Sequence, residues 1–152
     1  MKYSKILSTT FVFALTCAAA FGVQAASYKV VGETIPQSLT GKAGDPANGR
    51  AVAIHRQKGN CLACHQMPIP EQQFHGEVGP PLHDVGSRMK AGELRLRVVD
   101  PKVLDKDSIM PGFLNAKHNL AQKKWAGKSM LSAQEIEDVV AYLLTLKGSY
   151  TK

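Results

Sequence analysis

Cys61-Leu62-Ala63-Cys64-His65 is the string that could do chemistry. Two thiols three positions apart on one tight turn can reach the two vinyl groups of a haem and close thioether bonds. The next residue, His65, is then delivered to the iron from the same side. This is the C-x-x-C-H signature of c-type haem attachment. Blander uses of the same residues are a Cys61–Cys64 disulfide, a redox dithiol and half of a zinc site. A redox dithiol requires a βαβ setting, and the sequence has no strand pattern. Zinc requires two more ligands. His75 and His83 are available, but seven intervening residues lie outside the usual spacing.

A haem iron requires a sixth ligand or an open face. Met110, in Ile109-Met110-Pro111-Gly112-Phe113, is the candidate. It lies far downstream, in a loop stiffened by Pro111, so it can cross to the opposite side of the ring. Met67 is too near His65 to do so. Met130, His75, His83 and His118 remain alternatives, and a methionine is more often core filler than a ligand. Gly79-Pro80-Pro81-Leu82 is the expected supporting loop. The Pro80 carbonyl can accept a hydrogen bond from His65 Nδ1–H, which sets the ligand's tautomer. Leu82 can cover the haem.

The elements that must hold these groups are few. Residues 1–25 read as a signal peptide: Lys2 and Lys5, an uncharged apolar run, then Val23-Gln24-Ala25 as a small-residue exit. The run is short for a membrane anchor, and Cys17 lacks a good lipobox. Residues 26–46 hold several Gly and Pro and read as an extended arm. The domain proper is 47–152. Asp45 and Pro46 start a first helix, with Ala47, Ala51 and Ile54 facing inward, that runs to about Gln57 and stops at Gly59. A short helix spans 91–99, with Leu94 and Val98 inward. The last helix spans 133–147. Ser132 and Glu135 form its capping box, Ile136, Val139, Val140, Leu143 and Leu144 its apolar stripe, and Gly148 its C′ stop. The fold class is all-α, and the long loops between helices fit a chain wrapped around a large apolar cofactor.

Composition agrees with export and with a protein partner. The 152 residues are 44% hydrophobic and 20% charged, which is ordinary for one globular domain. The 19 Lys+Arg, less Lys2 and Lys5, face 12 Asp+Glu, a net +5 after cleavage. No basic run is interleaved with aromatics, which excludes a nucleic-acid binder. Lys117, Lys123, Lys124 and Lys128 fall in a stretch without acids, 108–134, that flanks Met110 and could steer an acidic redox partner. Trp125 in that stretch is expected to pack in the core.

The sequence resembles the class I c-type cytochromes through Gly49, Cys61-x-x-Cys64-His65, Gly79-Pro80-x-Leu82, Met110-Pro111 and Tyr142. Within them it is similar to the SoxX subunits of SoxAX cytochromes. That likeness rests on Ile35-Pro36-x-Ser38-Leu39-Thr40, Gly76-x-x-Gly79-Pro80-Pro81-Leu82, Glu93-Leu94-Arg95, Val99-Asp100-Pro101, Ser108-Ile109-Met110-Pro111 and Leu131 to Leu143. The class I resemblance implies a first helix crossing the last, with Gly49 against Tyr142. The SoxX resemblance implies one covalently bound haem c, a periplasmic location and a heterodimer with a SoxA-like cytochrome. It further implies a reaction in which thiosulfate is joined to a cysteine of a SoxYZ-like carrier, an L-cysteine S-thiosulfotransferase activity. This chain would be the electron-transfer subunit, passing electrons to a soluble cytochrome c. A free-standing cytochrome c shuttle is the competing reading, and an open-iron gas sensor a further one.

Overall fold

The structure is a computed structural model that describes residues 27–114 and 128–148. Four helices appear among them: α1 (Pro46–Ile54), α2 (Val85–Arg88), α3 (Ala91–Val99) and α4 (Ala133–Thr145). Single 3-10 turns cover Cys61–Ala63 and Pro101–Val103. The extended pairing among the described residues is one isolated bridge, Val31 with Thr34. The signal segment, His118, Trp125, Lys117, Lys123 and Lys124 lie outside the described residues.

α4 is the spine. Its N-terminus is built as the capping box requires: the Ser132 hydroxyl accepts from Glu135 N at 3.2 Å, and Glu135 Oε2 accepts from Ser132 N at 2.9 Å. Ile136, Val139, Val140 and Leu143 are buried, as the apolar period requires. Leu146 is the C-cap and is itself buried, and its carbonyl accepts from Gly86 N at 2.8 Å. Gly148 is therefore not the C′ stop. It lacks the left-handed φ that such a stop uses, and its N–H donates to the His83 carbonyl at 3.0 Å. The 146–148 segment is docked on the α2 region rather than folded back on its own helix.

α1 crosses α4. The Asp45 carboxylate accepts from Ala47 N and Asn48 N, and Pro46 occupies the first turn. The inward face is Gly49, Val52 and Ala53, with Ile54 half-buried and packed against the core as expected; Ala47 and Ala51 are exposed instead. The reason is steric. A Cβ on Gly49 would lie 1.9 Å from the Asp138 carbonyl oxygen, so the two backbones touch there and set the rotation of α1. The glycine thus meets the backbone of Asp138 and Val139, one turn before Tyr142, whose hydroxyl sits beside Arg50. α1 also ends early. His55 is already extended, Gly59 seats against the Val52 carbonyl, and Asn60 adopts a left-handed φ of 47°. The chain has to turn there to present Cys61.

The arm is bound to the domain. Ile35 is 1% exposed, and its N–H donates to the Gly92 carbonyl at 3.0 Å. Arg95 on α3 and Glu137 on α4 are both buried. They form a two-pronged ion pair, Nε to Oε1 at 2.8 Å and Nη2 to Oε2 at 2.9 Å. Each also holds the arm: Arg95 Nη1 donates to the Ile35 carbonyl at 2.6 Å, and Glu137 Oε1 accepts from Leu39 N at 2.8 Å. Asp138 accepts from Asp45 N, Asn48 Nδ2 and Gln134 Nε2. These contacts explain why α4 buries two acids beside its apolar stripe.

Candidate haem site

The attachment turn is short and self-bonded. Ala63 N donates to the Asn60 carbonyl, and Cys64 N and His65 N both donate to the Cys61 carbonyl. Leu62 points into the core and is 5% exposed, which turns Cys64 outward and leaves Cys61 half-buried. The cysteines are not joined in a disulfide. Burial pushes the Cys61 thiol up to about 12, so that thiol is neutral at physiological pH.

The loop after it is laced back onto this turn. Gly76 N donates to Leu62 O, Gly79 N to Cys64 O and Leu82 N to Gln66 O, all at 2.8–2.9 Å. That register brings the Pro80 carbonyl to 2.7 Å from His65 Nδ1. A carbonyl can only accept, so Nδ1 carries the proton and the Nε2 lone pair is left for a metal. A Cβ at Gly79 would lie 2.3 Å from His65 Cε1. The glycine is required because the imidazole lies flat against that backbone.

A cleft of about 830 Å³ opens in front of the turn. Cys61, Cys64, His65, Pro80, Leu82 and Met110 all line it. All six sequence-predicted residues are therefore at one place. Met130 and Met89 also line the cleft, whereas His75 and His83 do not. His75 is engaged elsewhere, with Met67 N and the Ile69 carbonyl. Among the described residues no group of three His, Cys, Asp or Glu converges to hold a metal ion, which leaves the zinc reading without its ligands. Much of the wall is apolar: Val85, Leu94, Val98, Phe113 and Leu143 come from three helices and the 111–114 loop. Donor set, apolar wall and the glycine cradle at His65 all fit a covalently held haem. The spacing of Leu94 and Val98 marks an inward face of α3; that this face and Arg97 line the cleft follows from the arm and α4 clamping the helix in place.

A cytochrome c family model matches residues 46–147. The chain belongs to the cytochrome c family. The covalently bound haem c of that family is accordingly the group this cleft serves. A chain in the crystal structure of SoxXA from P. pantotrophus is similar to this cytochrome at 35% sequence identity. The match covers 80% of this chain and 95% of that one, with a TM-score of 0.72. The helical class I fold and the SoxX-like resemblance both hold. No curated protein matches the sequence. Among the described residues, no helix is long and apolar enough to cross a membrane.

Proposed function

We propose that this cytochrome is the electron-transfer subunit of a periplasmic SoxAX-type complex. The observation that carries the reading is the meeting of Cys61, Cys64, His65 and Met110 on one cleft in a chain similar to part of SoxXA. Cys61 and Cys64 would hold one haem c through thioethers, and His65 Nε2 and Met110 would bind its iron. Bound there, the haem supplies one-electron transfer.

The chain's own residues tune and protect that group. The Pro80 carbonyl keeps the proton on His65 Nδ1 and so keeps Nε2 basic and correctly aimed. Gly79 lets the ring lie against the loop. Leu82 and the other apolar residues keep water from the cleft floor. A thioether ligand favours the reduced state more than a second imidazole does. Met110 is preferred over Met130 because Pro111 stiffens the loop directly after it, while Met130 is tied by its backbone N–H to the Phe113 carbonyl at 2.8 Å.

The partner would be a SoxA-like cytochrome. The complex would act as an L-cysteine S-thiosulfotransferase, joining thiosulfate to a cysteine of a SoxYZ-like carrier. This subunit would accept the released electrons and relay them to a soluble cytochrome c. Residues 1–25 would direct export and be removed.

The test is a pull-down of the C-terminally tagged chain from periplasm of thiosulfate-grown cells, with a denaturing gel stained for covalent haem. Two haem-positive bands in fixed ratio, one near this chain's size and one larger, are expected. A single haem band without a stoichiometric partner would move the reading to a free electron shuttle. An oxidised-state methionine–iron charge-transfer band that persists in Met130→Leu and disappears in Met110→Leu is expected; its loss in Met130→Leu alone would overturn the Met110 assignment.

A further inference from the structure

The loop that carries Met110 is held mainly at its two ends. Downstream, Phe113 is buried, its N–H donates to the Val98 carbonyl at 3.0 Å, and its carbonyl accepts from Met130 N and Leu131 N. Residues 109–112 make no backbone hydrogen bond to any other described residue. Ile109 is 79% exposed, so its side chain does not anchor the loop either. What fixes the upstream end therefore decides how firmly the Met110 thioether is offered to the cleft.

A lysine makes that upstream attachment. Lys102 sits in the 3-10 turn after α3 and is half-buried. Its Nζ donates to the Ser108 carbonyl at 2.7 Å and to the Lys106 carbonyl at 3.2 Å. The turn it reaches across is otherwise weakly held. Asp105, Lys106 and Asp107 are exposed, and the internal bonds are Asp107 N to Asp105 Oδ1 at 2.9 Å and Ser108 N to the Asp105 carbonyl at 3.2 Å. Asp105 N donates to the Pro101 carbonyl at 3.1 Å, which ties only the near end. Lys102 ties the far end, two residues before Met110, with charge-assisted hydrogen bonds that are stronger than neutral ones. Ser108, Ile109 and Met110 line the cleft, whereas Lys102 does not. Its reach into the site is through the loop it holds.

We infer that Lys102 is a positioning residue for Met110: its ammonium pins the 105–108 turn to the end of α3 and so keeps the thioether in the cleft against competing ligands. The inference rests on Met110 as the iron ligand and not on the SoxA-like partner. An unpinned loop samples arrangements in which the thioether is withdrawn. The population of those open arrangements sets how readily an outside ligand takes its place. Imidazole and a thioether are both neutral, so the loss of one positive charge does not by itself favour either.

The experiment is titration of imidazole into the oxidised haem-bearing chain at about pH 8, where imidazole is mostly neutral. The methionine–iron charge-transfer band and the main haem absorbance are followed in the wild type, Lys102→Met, Lys102→Arg, Met110→Leu and Lys102→Met/Met110→Leu. Lys102→Met is expected to bind imidazole about tenfold more tightly than the wild type, the effect of two lost, partly exposed hydrogen bonds. Lys102→Arg, which keeps the N–H donors, should fall between. Met110→Leu has no thioether to displace, so adding Lys102→Met to it should leave imidazole affinity unchanged. Equal affinity in wild type and Lys102→Met overturns the inference, even where Lys102→Met loses stability to guanidinium, because the lysine would then only support the fold. A shift of the same size in the Met110→Leu background also overturns it, since the lysine would then act on access to the cleft. Should Lys102→Met fail to accumulate with haem, Lys102→Gln in the same two backgrounds decides by the same comparison. A wild type without the charge-transfer band refutes Met110 as ligand and this inference with it; a band that is present with an unmoved affinity refutes this inference alone.

Discussion

The Arg95–Glu137 pair gives the sharpest test of what holds the arm and the helices together. Arg95 is 6% exposed and Glu137 5%, so neither charge is well solvated. Arg95→Met removes three hydrogen bonds at once: two to Glu137 and one to the Ile35 carbonyl. The Glu137 carboxylate would keep only the Leu39 N–H. Removing one partner of a buried pair costs about 3–5 kcal/mol, because a charge is left uncompensated. Arg95→Met/Glu137→Leu removes both charges. It leaves the Leu39 N–H and the Ile35 carbonyl without these partners, a residual cost of about 1–3 kcal/mol. Guanidinium denaturation of haem-bearing wild type, Arg95→Met, Glu137→Leu and the double variant, followed by haem absorbance and far-UV circular dichroism, gives the coupling energy. It should reach at least ~2 kcal/mol, within the range for directly contacting residues. In parallel, the arm at 27–45 should become protease-sensitive in Arg95→Met. If Arg95→Met costs under ~1 kcal/mol, or the double variant loses the sum of the single losses, the pair is not the clamp described here.

Three further outcomes are expected. Gly79→Ala forces a methyl into the His65 ring and should destabilise the haem-bearing protein by about 1–3 kcal/mol; wild-type stability by denaturant titration would mean that the ring can move aside freely. In the haem-free chain at pH 8, burial raises Cys61 from 9.0 to about 12, which cuts its thiolate fraction about 10³-fold relative to an ordinary thiol. Iodoacetamide followed by peptide mass spectrometry should therefore label the exposed Cys64 well before Cys61, and equal rates would contradict the burial of that thiol. Burial alone would raise the Asp138 carboxyl, but hydrogen bonds from Asp45 N, Gln134 and Asn48 outweigh it and hold the pKa below the ordinary 3.8. A depressed folded-state pKa contributes stability that is present above 3.8 and is lost as pH falls through the folded value. Asp138→Asn should thus be less stable than wild type at neutral pH, with the gap narrowing below about pH 4; a gap independent of pH would show that the charge contributes nothing.

The sequence alone determined the chemistry, since its signals are local. Cys61, Cys64 and His65 need only one turn to act together, and their spacing survives in any fold that forms that turn. The α4 capping box and apolar stripe, the bounds of α3 and the Asp45–Pro46 helix start were legible for the same reason: each is an interaction within four residues along the chain. The elements that differed depend on contacts across the fold. The rotation of α1 follows from Gly49 touching the Asp138 carbonyl, and α1 ends before Gln57 so that Gly59 can seat against Val52. The four-residue α2 carries too little periodicity to be seen in sequence, and Gly148 is spent on the His83 carbonyl instead of a helix stop. No pattern marks Arg95, Arg97, Glu137 or Asp138 as anything but surface charges of their helices. Only the packing of arm, α3 and α4 buries three of them and turns Arg97 to the cleft, because the environment of a side chain is set by elements up to about a hundred residues away along the chain, as with Leu39 and Glu137, 98 positions apart.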